Sequence, residues 1–264
     1  MTYTTLDLKT DGQMQWLTLN RPASLNALNT VIVTELRDYF SALPNQPEIR
    51  IVVLRGAGRA FCAGLDLKEG GGAGSGSVQG ILRSQRRISE LVMMMRRAPQ
   101  VFIACVHGAA CGGGFALALA SDVRLAGESL RMNAAFIRIG LSACDVGVSY
   151  FLPRLVGVSV ASELLMTGRF IHAPRALATG LVSEVVPDEQ LDAAAQRLIA
   201  EMLLTSPLGL RLTKECLNAS IDAGSLEQVI AMEDRNQVLC TQTNDVREGI
   251  MAFLQKRQPS YSDS

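Results

Sequence analysis

The chain has 264 residues, of which 48% are hydrophobic, and its 25 Lys and Arg balance its 25 Asp and Glu. This composition is typical of a folded globular protein, and the zero formal charge gives no long-range attraction to nucleic acid or an anionic membrane, which leaves a local basic patch for a small phosphorylated ligand open. The six cysteines form no CxxC pair and the histidines, His107 and His172, lie far apart, so we predict neither a metal site nor disulfides.

The N-terminal residues lack a basic stretch followed by an apolar one, which favours a cytoplasmic protein without a secretory signal. Residues 101–120 form a run of 20 residues with one ionisable side chain, long enough to span a membrane. The triple glycine at 112–114 would break such a helix in its middle. We therefore expect a buried strand, a tight turn and a buried helix here.

Hydrophobic patterning along the first part of the chain predicts alternating strands and helices. Apolar runs predict strands at 14–20, 51–56, 101–106 and 122–126. Helical spacing of Val33, Leu36 and Phe40 predicts one helix, and Ile81, Ile88, Leu91 and Val92 predict an amphipathic helix over 80–97. A further helix is expected from about 113 to 120. The fold class is α/β, with repeated strand–strand–helix units.

After residue 155 helical patterns dominate, and from Ser206 onward the chain is predicted to be wholly helical. These helices follow the last predicted strand, so they must pack on the core or on another subunit. We therefore divide the chain into a core, residues 1–205, and a helical C-terminal region, residues 206–264. Residues 70–80, GGGAGSGSVQG, are of low complexity, which fits either a mobile entry loop or an exposed connector.

Two segments combine small residues with a transition from strand to helix. We name them the first glycine segment, residues 61–69 (FCAGLDLKE), and the second glycine segment, residues 107–122 (HGAACGGGFALALASD). Without bulky side chains, backbone N–H groups can point directly at a ligand, and Gly113 would lie at the positive end of a helix dipole. Two such amides that converge on one oxygen would form an oxyanion hole, although glycine-rich turns also serve tight packing.

These two segments, together with NRPASLNALN at 20–29, VSEVVP at 182–187 and EGIMAFLQKR at 248–257, resemble the crotonase (enoyl-CoA hydratase/isomerase) superfamily over nearly the whole chain. The resemblance implies a spiral of ββα units and a helical C-terminal oligomerisation region, assembled as a homotrimer or a dimer of trimers. It also implies an acyl-CoA thioester substrate, whose enolate the protein stabilises, with no separate cofactor and no metal.

Carried over position by position, the resemblance assigns the oxyanion donors to the backbone amides of Leu65 and Gly113. It implies CoA contacts in the first turn, around the first donor and in the C-terminal tail: Arg21, Ala23, Leu25, Leu65, Asp66, Leu67, Lys68, Phe253 and Lys256. The two tail residues match positions that can reach CoA across a subunit interface.

The departures from the family pattern concern the acid and base. Typical enoyl-CoA hydratases hold and activate water with two glutamates, and this chain has Ala116 and Phe136 at those positions. Neither side chain can accept a proton, so the standard hydration machinery is expected to be absent. Asp145, in a loop that faces the acyl pocket in the family, is our candidate acid/base; its other interpretation is a turn-capping aspartate.

Weaker candidates flank these positions: Ser142, Cys144, Ser149 and Tyr150 around Asp145, Glu69 after the first donor, and His107. With one carboxylate in place of two, isomerisation, C–C bond chemistry or thioester hydrolysis on a bulky acyl-CoA is favoured over simple hydration. The alternative is a non-catalytic homologue that binds acyl-CoA. Two converging amide donors favour the enzyme, because only charge on a carbonyl oxygen demands them.

Overall fold

The computed structural model describes residues 2–68 and 77–264. Its strands are β1 (Leu6–Asp11), β2 (Met14–Leu19), β3 (Ile51–Gly56), β4 (Val101–Val106), β5 (Ala109–Cys111), β6 (Val123–Gly127), β7 (Arg131–Asn133), β8 (Ile171–His172) and β9 (Glu184–Val186). Its α-helices are α1 (Thr30–Ala42), α2 (Val78–Arg97), α3 (Gly113–Ala120), α4 (Val148–Val156), α5 (Val158–Thr167), α6 (Ala173–Ala178), α7 (Leu191–Leu203), α8 (Pro207–Ser220), α9 (Leu226–Thr241) and α10 (Asn244–Leu254). The low-complexity stretch predicted as a loop lies mostly outside the described residues.

The main sheet has six strands in the order β1-β2-β3-β4-β6-β9. All neighbours are parallel except β1 and β2, which form an antiparallel hairpin with Leu6 opposite Leu19 and Asp11 opposite Met14. Our sequence prediction placed the first strand at 14–20 and did not include β1. Gly12, with φ +57°, makes the turn between these two strands.

Both faces of the sheet are covered, which explains the nearly continuous apolar runs of β3 and β4. Val52 and Leu54 face a large core that also contains residues of α1, α2 and α3. Ile51 and Val53 face the opposite side, where α7 covers the sheet. Residues of the two glycine segments and of the Asp145 loop, among them Phe61, Phe115 and Val146, also lie in this first core, so that side of the sheet positions the candidate site.

Helix α2 confirms the predicted amphipathic helix, but its buried face differs in part from the expectation. Leu91, Val92 and Met95 are buried and Ile88 is partly buried, whereas Ile81 is 51% exposed. Ile81 lies in the first turn of α2, next to residues 69–76, which are outside the described part of the chain. The contact face of α2 therefore begins a turn later than the pattern predicts.

Residues 101–120 contain strand β4, the short strand β5 and helix α3, as expected apart from the additional strand. Strand β5 belongs to a second sheet of three strands in the order β5-β7-β8. This sheet holds the second glycine segment beside β7, where Gly112 N–H donates to the Asn133 carbonyl at 3.0 Å. In the described part of the chain, no helix has the length and hydrophobicity needed to cross a bilayer.

The helical C-terminal region consists of α8, α9 and α10, and the helix prediction fails only after Leu254, where the last residues are irregular. Lys214 anchors α8 to the core: its side chain is 5% exposed, and its ammonium donates to the Met95 and Gln100 carbonyls at 3.0 and 2.6 Å. The Asp122 carboxylate, 3.0 Å away, neutralises the charge. A buried lysine is tolerated because each of these groups compensates its lost hydration.

Candidate active site

The two glycine segments are held together by backbone hydrogen bonds. Phe61 N–H donates to the His107 carbonyl at 2.9 Å, and Cys62 N–H donates to the Ala109 carbonyl at 3.0 Å. Cys111 N–H returns a bond to the Cys62 carbonyl at 2.9 Å. The two stretches therefore run side by side as a short parallel ladder, which fixes the distance between them without any side chain.

Glycine is required where the two segments touch. A Cβ on Gly64, which has φ +95°, would lie 2.8 Å from the Cys111 carbonyl oxygen and 3.6 Å from Gly112 Cα. A Cβ on Gly114 would lie 2.3 Å from the Cys62 carbonyl oxygen. Real Cβ atoms do not approach backbone oxygen this closely, so a larger residue would force the segments apart. Leu65 and Gly113, the residues after Gly64 and Gly112, are thereby brought close together.

In the described part of the chain, the backbone N–H groups of Leu65 and Gly113 take no part in the hydrogen bonds that hold the fold. Leu28 bridges Leu65 by donating to the Gly64 carbonyl at 2.7 Å and accepting from Asp66 N–H at 3.0 Å. In such a parallel bridge the N–H of Leu65 points away from Leu28. Gly113 is the first residue of α3, whose N–H has no acceptor within the helix. Across residues 2–68 and 77–264, neither amide has a hydrogen-bond acceptor.

Arg21 and Asp66 connect the first turn to the first glycine segment. Their side chains, 12% and 8% exposed, form an ion pair at 3.0 Å. Asp66 also accepts from Lys68 N–H at 3.2 Å, and Arg21 donates to the Ala27 carbonyl. Both residues were predicted to contact CoA, which stays a prediction; their described contacts join the two loops.

The other predicted CoA contacts near the first donor lie on the surface of these loops. Ala23 and Lys68 are exposed, Leu65 and Leu67 are 39% and 53% exposed, and Leu25 is half-buried in a left-handed conformation. We call these surface residues of the first turn and the first glycine segment the rim.

Phe253 and Lys256 are not brought to this rim by the described contacts. They lie at the end of α10, which packs on α9, and Phe253 is 83% exposed. In the described part of the chain, no hydrogen bond or ion pair joins either residue to a glycine segment. Their contact with CoA across a subunit interface stays a prediction.

Ala116 and Phe136 occupy the positions where the family pattern has glutamates. Ala116 is fully buried on α3, one turn after Gly113. Phe136 is 8% exposed, and its ring lies against Gly112, where an added Cβ would be 3.3 Å from the ring. The wall beside the Gly113 amide is therefore apolar and contains no proton acceptor at these two positions.

Asp145 lies in the loop that leads into α4. The carboxylate is half-buried and accepts hydrogen bonds from Gln85 Nε2 at 2.5 Å and from Val146 N–H at 2.8 Å. Burial raises the pKa of Asp145 above the ordinary carboxyl value, and the bonds from Val146 and Gln85 oppose that rise. A carboxyl group with a raised pKa is a better proton acceptor near neutral pH than an exposed aspartate.

The backbone after Asp145 is strained. Val146 has φ +47° and Gly147 has φ +81°. A β-branched residue in the left-handed region is a conformational outlier, and such strain persists only where surrounding contacts impose it. Val146 is 7% exposed within the core, and Val148 N–H donates to the Asp145 carbonyl at 2.9 Å, so packing and the start of α4 hold the turn.

Gln85 was not among the residues selected from the sequence. It lies on α2, which packs against α3, so α2 links the Asp145 loop to the helix that begins at Gly113. A signal was present in the sequence: Gln85 shares a stripe with Ile88, Val92 and Met95 at helical spacing. A polar residue on an otherwise apolar stripe indicates a buried hydrogen-bond partner.

The weaker candidates have structural contacts. Tyr150 donates to Asp222 at 2.6 Å, Ser142 accepts from Cys144 N–H at 3.1 Å, and His107 Nε2 lies 2.8 Å from the Gly58 carbonyl. Ser149 and Cys144 are exposed, and Glu69 lies outside the described residues. Cys62 is fully buried between the glycine segments, and burial raises the pKa of its thiol to about 12.

A mostly parallel six-stranded sheet, with two glycine segments hydrogen-bonded side by side, is the arrangement expected of a crotonase-like protein. The chain belongs to the enoyl-CoA hydratase/isomerase family, whose sequence pattern matches residues 10–264. It is therefore an enzyme of the class that processes acyl-CoA thioesters.

Individual relatives support this assignment and differ in their named reactions. A Mycobacterium bovis protein named probable enoyl-CoA hydratase echA12 is 38% identical over 254 residues, covering 94% of this chain and 88% of that protein. The 1,2-epoxyphenylacetyl-CoA isomerase of Escherichia coli is 34% identical, covering 93% and 94%. The crystal structure of an enoyl-CoA hydratase from Bacillus anthracis superposes with a TM-score of 0.93 at 32% identity, covering 99% and 100%.

Proposed function

We propose that this enzyme isomerises an acyl-CoA thioester with a bulky, apolar acyl group. The Leu65 and Gly113 amides bind the thioester carbonyl oxygen and stabilise the enolate that forms when a neighbouring C–H is deprotonated. Asp145 accepts that proton and returns it to a different carbon atom. The same carboxyl group acts first as base and then as acid, so no second acid/base is required.

The observation that carries this proposal is the contrast between Asp145 and the two apolar positions. Asp145 has a raised pKa and a polar partner, whereas Ala116 and Phe136 present only hydrocarbon beside the second donor. Hydration needs a water molecule held and activated next to the reacting carbons, and an apolar wall does not hold one. A relative named 1,2-epoxyphenylacetyl-CoA isomerase supports isomerisation of a bulky acyl-CoA.

The exposed rim formed by Ala23, Leu67 and Lys68 provides the surface along which the CoA moiety would extend from the carbonyl. A lysine ammonium can pair with a CoA phosphate as a point charge. The assembly we propose is a homotrimer or a dimer of trimers. Large apolar side chains exposed on α9 and α10 support it, among them Leu226, Val238, Phe253 and Leu254. Light scattering after size exclusion measures the assembly.

The first experiment incubates the purified protein with short and long enoyl, dienoyl, aryl and cyclic β-keto acyl-CoAs and follows each by mass spectrometry and chromatography. We expect a product of unchanged mass and altered retention from a bulky substrate. Rapid addition of water to crotonyl-CoA would contradict the proposal. Cleavage of a C–C bond or of the thioester would move the enzyme to another reaction, and binding without turnover would identify a non-catalytic homologue.

Asp145→Asn tests the role of the carboxylate. We expect kcat to fall by about 10²–10⁴-fold with CoA-ester affinity nearly unchanged, because the amide cannot accept the proton. The control is Leu65→Ala, which removes a side chain and keeps the proposed backbone donor. That variant should retain kcat within a few-fold, and unchanged turnover in Asp145→Asn would remove Asp145 from the mechanism.

A further inference from the structure

Gln85 is the side chain that contacts the Asp145 carboxylate in the described part of the chain. Its Nε2 lies 2.5 Å from Oδ1, which also accepts the Val146 N–H at 2.8 Å. Both bonds go to the same oxygen. The second carboxylate oxygen, Oδ2, therefore has no protein donor among the described residues and is the atom that can face a substrate.

We propose that Gln85 is a positioning residue: its amide holds Oδ1 of Asp145 so that Oδ2 points at the substrate carbon atoms throughout the reaction. This inference rests on the proposed function, since it assumes that Asp145 moves the proton. It adds a role for α2, which the sequence analysis treated only as a packing helix.

The chemistry requires a partner that tolerates both charge states of Asp145. In the first step a substrate C–H bond breaks, an O–H bond forms on Oδ2, and the electron pair passes to the thioester oxygen as an enolate. In the second step that O–H bond breaks and a C–H bond forms at another carbon, so no oxidant or reductant is needed. A neutral amide keeps the carboxyl plane fixed in both steps, whereas a cation would hold Asp145 ionised and oppose the first step.

No ion pair to Asp145 is formed in the described part of the chain: Arg83, Arg86 and Cys144 make none, and the other charged or titratable groups on the neighbouring elements have other partners. On α2, Arg87 donates to Thr34 and Glu90 pairs with Arg37. On the preceding turn, Arg138 donates to the Thr167 carbonyl. On α4, Tyr150 donates to Asp222 and Arg154 forms an ion pair with the same carboxylate. Burial and the two hydrogen bonds, rather than a neighbouring charge, therefore set the protonation of Asp145.

The test is the pH dependence of kcat/KM for two substitutions at one position. Gln85→Met keeps the length and removes the donor, so the pKa of Asp145 should rise and the acid limb should move to higher pH. Gln85→Lys places a cation there, so the acid limb should move to lower pH. A bond to a charged group contributes enough for about a tenfold loss of kcat/KM in Gln85→Met on the acid side.

Gln79→Met is the matched control, since Gln79 is exposed on the same helix and the chemical change is identical. Its profile should superimpose on that of the unmodified enzyme. Thermal melts of all variants verify folding, and the opposite directions of the two Gln85 shifts exclude a general loss of structure. A uniform loss of rate, with both limbs unmoved in both Gln85 variants, would overturn the positioning role.

Asp145→Asn, measured in parallel, separates this inference from the proposed function. If Asp145→Asn keeps its activity, the proposed function fails and Gln85 has no base to position. If Asp145→Asn is inactive while the Gln85 profiles match the unmodified enzyme, only the positioning role fails. Inactive Asp145→Asn with opposite shifts in the two Gln85 variants supports both.

Discussion

The two halves of the candidate site use different chemical groups: one presents backbone amides and the other presents a side chain. The glycine segments present backbone amides and are fixed by backbone hydrogen bonds and by contacts that a single Cβ would break. The Asp145 loop presents a side chain, is half exposed and depends on one bond from Gln85 and on a strained turn at Val146. Charge stabilisation needs donors that do not move as charge develops, whereas proton transfer needs a group that changes its protonation state.

Placing the same substitution, glycine to alanine, in each half tests whether the two halves differ in rigidity. In the first half, the Cβ of Gly114→Ala would meet the Cys62 carbonyl oxygen at 2.3 Å, and a backbone atom in a ladder cannot turn aside. We expect a loss of unfolding free energy of about 3–5 kcal/mol, the range of severe core defects. Urea titration measures it.

Gly224→Ala serves as the control, because its Cβ would meet only the end of the Gln228 side chain at 3.4 Å. It should change stability by less than about 1 kcal/mol. Equal stability of Gly114→Ala and Gly224→Ala would show that the glycine segments are not rigid.

In the second half, Gly147→Ala should have a smaller effect. Gly147 has φ +81°, and its Cβ would lie 2.9 Å from Cε2 of Phe151, a ring edge that can shift. The left-handed conformation costs alanine about 1–2 kcal/mol. We expect urea denaturation to show a loss of this size, together with a lower kcat, since Asp145 lies two residues away. A larger loss of stability than in Gly114→Ala would reverse the comparison.

The smallest expected effect is the pH dependence of stability in Asp145→Asn. The folded-state pKa of Asp145 is raised by burial, so the folded state binds the proton more tightly than the unfolded chain does. The ionised form therefore destabilises the fold as pH rises from the unfolded pKa through the folded value. Asp145→Asn should melt slightly higher than the unmodified enzyme at neutral pH, and the difference should vanish near pH 3. A constant difference across that range would show that the aspartate is not desolvated.

The parts of the fold that were predicted from sequence are those with dense local signals. Apolar runs between turns placed β3 and β4 correctly, and the triple glycine placed the start of α3. Strand β1 was missed because its second half, Lys9 to Asp11, is polar and exposed, and its identity as a strand depends on pairing with β2. Strand pairing depends on two segments, so the sequence of one segment alone does not predict it.

The features of the site likewise divide into those that residue type predicts and those that depend on the folded structure. Residue type identified the glycine segments and Asp145 as candidates, because amide access and proton transfer depend on residue chemistry. The contact between Gly64 and Cys111, the bond from Gln85 and the strain at Val146 all depend on segments that are distant in the chain or on backbone angles. The pairing of Arg21 with Asp66 likewise joins segments that are 45 residues apart, and the sequence did not predict it.

The cysteines give each half of the site its own chemical reporter. Cys144 is exposed directly beside Asp145, whereas Cys62 is enclosed between the glycine segments with its thiol pKa raised to about 12. Thiolate is the reactive form, so an alkylating reagent reaches Cys62 only when the segments separate. Labelling followed by peptide mass analysis therefore separates rapid reaction beside Asp145 from slow reaction that requires opening of the amide site, in one unmodified protein.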